Sequence, residues 1–408
     1  MVSKIKELLK SSSFRFTLFS AIGSAFNFLT LILFGRLFKV EEYAVISTFQ
    51  AFVANIAVAV IPLQIIFCKS VAASNKQIKT NYITIASYFS FFEILLMIVL
   101  SNYLMKFVGL DSFIDYFLLI LLVLINNLYL VAVGGVQGLQ NFHILGIVNI
   151  LLYLVKLILS FVFALNGFGV TSVLIGFLLA DLVCLLILLQ TGWSSWKSRI
   201  DSFKGIISFS FIEEWAWLFF LYLAVTLYMN NGDILLGNLY IQKYEMGLYS
   251  VVSNLSKISV FLISTPIATM LLPNVASCYG DKVKGKQLLY KAELLTILLS
   301  LGYEFIFCCI GKLIIKVLYG VEYIGALKYI ISVSVFSCAL SVFWVFYQYA
   351  IASSLLKSFT IIAVLCGLVS VLIISVIHPS MLVLPIILSV SMACSILFTI
   401  RFDRKNTV

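Results

Sequence analysis

The sequence predicts an all-α polytopic membrane protein, and three observations predict it. Hydrophobic residues make up 62% of the 408-residue chain and charged residues only 11%, whereas a soluble domain carries about 25% charged residues. The apolar residues run continuously over stretches close to the roughly 20 residues that a helix needs to cross a bilayer core of about 30 Å. They do not alternate as the strands of a membrane barrel do. Lipid offers the backbone no hydrogen-bond partners, so each such run must form a helix that satisfies itself.

In chain order, residues 3–10 place Ile5, Leu8 and Leu9 on one face, with Lys4, Lys6, Glu7 and Lys10 around them. That pattern reads as a short amphipathic helix on the membrane surface. It does not read as a cleavable signal, because no small-residue cleavage site follows an apolar region. Twelve spans are then expected near 14–34, 44–67, 82–101, 113–133, 142–165, 170–190, 206–229, 247–272, 292–311, 326–350, 355–377 and 380–400. The loop 191–204, with Trp193, Trp196, Lys197 and Arg199, is the expected central linker between two six-span halves, 1–198 and 199–408.

Twelve spans put both termini on one side. Eighteen of the 27 lysines and arginines fall on that side and seven on the other, with Lys156 and Lys257 inside spans. Cytoplasmic segments carry the excess of basic residues, so both termini are expected in the cytoplasm. The net charge of +10 is distributed over span ends and does not point to nucleic acid. The eight cysteines are scattered without a CxxC pair, which argues against both a disulfide framework and a zinc site. His143 and His378 lie near span ends and read as interfacial residues. No cofactor and no metal site are expected.

The two halves echo each other. Gly35 and Leu37 answer Gly237 and Leu239, Ser47 answers Ser250, and Pro62 answers Pro266 with a gap of one or two residues. Internal duplication of this kind is common in transporters, whose sites lie between the repeats. Pro62 and Pro266 are expected to bend their helices.

Four stretches carry a family resemblance. Gly35-Arg36-Leu37 runs into Glu41-Glu42-Tyr43. Gly138-Leu139-Gln140-Asn141-Phe142 is followed by Asn149, Lys156, Gly167 and Gly169. Asp233 and Gly237 lead to Gly247-Leu248-Tyr249-Ser250 and Pro266. The last runs from Leu318-Tyr319-Gly320 through Glu322 to Gly325-Ala326. In this order they resemble the polysaccharide and O-antigen flippases of the multidrug/oligosaccharidyl-lipid/polysaccharide (MOP) exporter superfamily. Ala44 departs from the pattern, which usually has glycine after the tyrosine. The resemblance implies a MATE-like fold of two similar six-helix bundles around a central cavity. It also implies a bacterial inner-membrane protein that flips an undecaprenyl-diphosphate-linked oligosaccharide, the repeat unit of an O-antigen, capsule or similar polysaccharide, by alternating access. Its partners would then be the lipid-linked oligosaccharide and membrane lipids, with a polysaccharide polymerase and chain-length machinery beside it.

Ionisable groups inside spans are costly and merit a functional hypothesis. Lys156 and Lys257, one in each half, are candidate substrate-binding residues: lysine is a point charge that can follow a moving phosphate. The alternative is a structural pair, for example Lys156 with Asp181, or snorkelling to an interface. Glu93, Asp181 and Glu304 are candidate ion-coupling residues for H+ or Na+. Their alternative is a pairing with lysine or a hydrogen bond to a neighbouring helix. Arg36, Lys69, Glu213, Glu214, Trp215 and Trp217 read as interfacial.

The competing functions are a cation-coupled small-molecule exporter of the same fold and, from another class, a membrane polymerase or acyltransferase. The sequence lacks the large outer loop expected of the polymerase and the intramembrane histidine expected of the acyltransferase.

Overall fold

Each of the twelve expected spans is mainly helical over its described residues in the computed structural model, which describes residues 12–73, 81–196, 209–229, 231–277, 282–353 and 355–406. The amphipathic segment 3–10 and most of the linker, from residue 197, lie outside the described residues. Ten described helices are long and apolar enough to cross a membrane, and an eleventh span is a bent pair. The first helix, Ser12–Leu37, completes the twelve; its apolar stretch is Ile22–Leu37. Among the described residues many large apolar side chains, such as Phe91, Phe92, Leu298 and Phe305, are exposed, while thirty polar or charged side chains are buried. That inversion is what a lipid solvent requires.

The chain forms two compact units, Met1–Tyr222 and Leu223–Val408. The first contains α1 (Ser12–Leu37), α2 (Val40–Ile56), α3 (Ile61–Ala73), α4 (Asn81–Val99), α5 (Ser101–Val108), α6 (Phe113–Gly138), α7 (Phe142–Leu165) and α8 (Val170–Trp196). The front of α9 (Phe209–Met229) also belongs to it. The units part inside α9 and not at residue 198, where the sequence puts the linker. The reason is local: the Trp215 indole donates to the Ala59 carbonyl (3.2 Å), Glu214 pairs with Lys69 (2.7 Å), and Trp215 packs on Phe89. The residues read as interfacial thus tie the front of α9 to the first unit.

Small residues let these helices approach closely. A Cβ at Gly134 of α6 would stand 2.5 Å from the Gln64 carbonyl of α3, and one at Gly138 would stand 2.7 Å from the Cys68 carbonyl. Val60, Leu63, Phe67, Val131, Val136 and Val148 fill the core around that contact. The third span departs from a simple hairpin: α4 and α5 meet at 86°. α5 is short and strongly two-faced, as expected of a helix lying along an interface.

The second unit contains the rest of α9, then α10 (Gly232–Gly237), α11 (Lys243–Ser256), α12 (Thr265–Ser277), α13 (Lys282–Leu318), α14 (Ile330–Ala352), α15 (Leu356–Ile377) and α16 (Leu384–Asn406). Aromatic rings dominate its core: Tyr228 meets Phe343, and Phe359 packs on both Phe343 and Phe346. The Tyr228 hydroxyl is satisfied by Ser391 at 2.7 Å.

The echo between the halves is real in register. Lys39 caps α2 and Gln242 caps α11. Counted from these caps, Glu42 and Glu245 both stand third, and Ser47 and Ser250 both stand eighth. Each helix is then interrupted, the first by a 3₁₀ turn, Ala57–Ala59, and the second by a π-helical turn, Val260–Ser264. Pro62 and Pro266 each take the second position of the helix that follows. A proline has no N–H and its ring clashes with the carbonyl four residues earlier, here Val58 and Leu262. Both carbonyls fall inside the irregular turns, so the expected bends are breaks that fit the proline into a first turn.

Candidate functional site

In the second unit the site grows from the break after α11. Lys257 caps that helix at its C-terminal end. Its ammonium donates to Asp233 Oδ1 at 2.8 Å and to Asn231 Oδ1 at 2.7 Å, and it lies 5.3 Å from the Phe336 ring. Asp233 Oδ2 accepts the Tyr249 hydroxyl at 2.6 Å and the Ser253 hydroxyl at 3.0 Å. Asn231 adopts a left-handed backbone, φ 57°, which turns the chain into α10 and brings its side chain beside Asp233. Both carboxylate oxygens are thus occupied, as a buried charge requires.

In the first unit Lys156 of α7 lies 2.9 Å from Asp181 Oδ1 of α8 and 4.7 Å from the Phe177 ring. The two pairs differ in access. The Lys156 side chain is 14% exposed and Asp181 2%, against 4% for Lys257 and 0% for Asp233. The structure therefore brings together Lys156 and Asp181, which the sequence offered as a pair. It gives Lys257 a partner the sequence did not assign. In the sequence Asp233 stands out only as part of a family motif, because its link to Lys257 depends on how the chain folds back.

The two remaining carboxyls have no lysine or arginine within 4.0 Å among the described ion pairs. Glu93 of α4 accepts from the Asn127 amide of α6 at 2.6 Å. Glu304 of α13 meets three hydroxyls: Ser256 at 2.7 Å, Ser334 of α14 at 2.8 Å, and Ser259 at 3.0 Å. Ser253, Ser256 and Ser259 recur every third residue along the span, a signal visible in the sequence; which carboxylate they serve was not. At the other end of α11, Glu245 accepts from Lys328 at 2.8 Å and from the Tyr329 hydroxyl.

Among the described residues no three His, Cys, Asp or Glu side chains gather as a metal site. His143 packs edge-on against Phe19, and His378 packs against Tyr240.

The fold has solved relatives. A multidrug resistance MATE family transporter of the MOP superfamily, in its inward-facing conformation, is similar with a TM-score of 0.71 at 13% identity, covering 94% of each chain. The lipid II flippase MurJ, inward closed, is similar with a TM-score of 0.71 at 14% identity, covering 95% of this chain and 87% of its own. The Vibrio cholerae MATE transporter VcmN gives a TM-score of 0.61 at 12% identity, covering 97% of this chain and 98% of its own. No curated protein matches the sequence. The family described as polysaccharide biosynthesis protein matches residues 33–328, well over half of the chain. The chain is a multi-pass membrane protein with the all-helical fold of MOP-superfamily transporters, and it belongs to the polysaccharide biosynthesis protein family.

Proposed function

We propose that this chain is a flippase that carries an oligosaccharide on undecaprenyl diphosphate from the cytoplasmic to the outer leaflet of a bacterial inner membrane. The observation that carries the reading is the polysaccharide biosynthesis match over residues 33–328. The fold shared with a protein named as a lipid II flippase supports it. The substrate is the repeat unit of an O-antigen, capsule or similar polymer. The chain is a transporter and not an enzyme, and it hands its product to a polymerase and chain-length machinery.

Lys156 and Lys257 are the proposed substrate-binding residues, each a cation for a phosphate oxygen, with Asp181 and Asp233 as the anions they leave when substrate arrives. An ammonium paired with a carboxylate can exchange it for a phosphate oxygen at little net change in charge pairing. Both termini are cytoplasmic in this reading. Reporter fusions at Lys284 and Lys405 should be active inside the cell, and a periplasmic signal from either would overturn that orientation.

A second reading is favoured by one observation. The multidrug MATE transporter is as similar in structure as the lipid II flippase. A cation-coupled exporter of small molecules would share the fold. Proteoliposomes separate the two. The flippase reading expects protein-dependent movement of a fluorescent undecaprenyl-diphosphate oligosaccharide without a dye gradient being dissipated. Efflux of a small cationic dye with no movement of the glycolipid would establish the exporter reading instead.

A further inference from the structure

Four buried acidic side chains in the membrane helices divide into two kinds. Asp181 and Asp233 each hold a lysine. Glu93 and Glu304 are held by neutral groups. Glu304 is almost fully buried, and a bare carboxylate without a cation is costly in such a place.

Counting hydrogens at Glu304 identifies what balances it. Ser259 Oγ lies 3.0 Å from Glu304 Oε1 and 2.9 Å from the Ser256 carbonyl oxygen. A serine hydroxyl has one hydrogen and two lone pairs. With an ionised carboxylate, that single hydrogen serves one contact, and the other sets two acceptor oxygens against each other. With a proton on Oε1, each contact has its own hydrogen. Oε1–H donates to Ser259 Oγ, and Ser259 donates to the Ser256 carbonyl. Oε2 accepts the Ser256 and Ser334 hydroxyls at 2.7 and 2.8 Å.

The titratable neighbours do not replace that proton. On α13, the Tyr303 hydroxyl donates to the Leu255 carbonyl, and Cys308 lies 3.7 Å from Ser334 Oγ. On α14, Cys338 is the neighbouring titratable group. At the end of α11, Lys257 is engaged by Asp233 and Asn231. The π-helical turn Val260–Ser264 carries no titratable side chain.

We propose that Glu304 is a proton-binding site, with Ser259 and the Ser256 carbonyl as the relay that holds the bound proton at the break between α11 and α12. Loss of the proton leaves Ser259 one hydrogen for two acceptors, so it must release either Glu304 or the Ser256 carbonyl. Protonation thereby sets how the π-helical turn is fastened to α13. As a coupling site this rests on the transport reading above; as a proton site it does not.

Infrared difference spectroscopy on the purified, detergent-solubilised chain tests it without any transport assay. At neutral pH the wild type should show a protonated carboxyl C=O band that shifts in D2O. Glu304→Gln should lose the intensity of one carboxyl per chain while keeping the fold, since the glutamine amide can donate to Ser259 in the proton's place. Ser259→Ala should keep the band and move it to higher frequency, because the acid loses its acceptor. If Glu304→Gln does not accumulate, the Ser259→Ala shift alone decides. No Glu304-dependent band, or no shift in Ser259→Ala, overturns the proposal. A wild-type band abolished by added Na+ also overturns it, in favour of a monovalent-cation site. Absent glycolipid movement with the band intact would instead count against the flippase reading alone.

Discussion

The interrupted span of α2 and α3 in the first unit and that of α11 and α12 in the second share their register from the cap to the eighth residue and then diverge at the break. The position that holds Lys257 in the second interrupted span holds Ala54 in the first, both fifteenth from the cap. The first unit carries its lysine on an uninterrupted helix instead, paired to its neighbour helix at 2.9 Å. The break itself is a 3₁₀ turn among alanines in one and a π-helical turn flanked by serines, a lysine and a carboxylate in the other. A π turn leaves carbonyls and side chains to be satisfied from outside the helix, and such turns occur often at functional sites. The same scaffold thus holds one ion pair between straight helices, where part of the lysine stays accessible. It holds the other at a joint, where every charged atom is locked.

The largest expected effect follows from that locking. Asp233→Ala leaves the Lys257 ammonium buried with only Asn231 to answer it, and breaking such a pair costs about 3–5 kcal/mol. The folded yield or the thermal midpoint in nanodiscs should fall sharply. The double variant Asp233→Leu with Lys257→Met should regain most of the loss, since an apolar replacement of a buried pair is often neutral or better. A double variant as unstable as the single one would show that the joint depends on the charges themselves.

Asp181→Ala should cost less, about 1–3 kcal/mol, because Lys156 keeps some exposure. If its midpoint fell as far as that of Asp233→Ala, the contrast between the two pairs would be lost. Gly134→Ala tests the packing of the first unit: its Cβ would meet the Gln64 backbone carbonyl at 2.5 Å, so about 1–3 kcal/mol of overpacking is expected. Gly302→Ala of α13 is the control. Nothing lies within 4 Å of its added Cβ, and a gain of about 0.5–1 kcal/mol in helix stability is expected.

The smallest effect compares the two third-position glutamates. Glu42 accepts the backbone N–H of its own cap, Lys39, at 3.0 Å, whereas Glu245 reaches Lys328 and Tyr329. The Lys328–Glu245 pair is partly exposed, so Glu245→Gln should cost about 0–1 kcal/mol and its cost should shrink with salt. Glu42→Gln should be insensitive to salt.

The twelve spans could be read directly, because lipid leaves an apolar run no structure but a helix. The breaks could be read in part: Pro62 and Pro266 announce them, but nothing local distinguishes a 3₁₀ from a π turn. The 86° corner between α4 and α5 carries no proline, and the residues after Ser101 read as loop. The lysines and buried carboxyls stood out because charge is rare in such a chain. Their partners did not. Asp233 reaches Lys257 only through the left-handed turn at Asn231, and Glu304 meets Ser334 across two helices. The unit boundary inside α9 rests on the contacts of Glu214 and Trp215, residues that in sequence look like any interfacial cluster.

The most direct test of the account measures glycolipid movement with the charges removed and the fold kept. Wild type, Lys156→Met with Asp181→Leu, and Lys257→Met with Asp233→Leu would be reconstituted in proteoliposomes at matched folded amounts. The initial rate of undecaprenyl-diphosphate oligosaccharide translocation would then be followed. Each double variant should be slower by about tenfold or more, equivalent to about 1.4 kcal/mol of lost interaction. Wild-type rates from both would show that the lysines only hold helices together and would contradict the proposed diphosphate site.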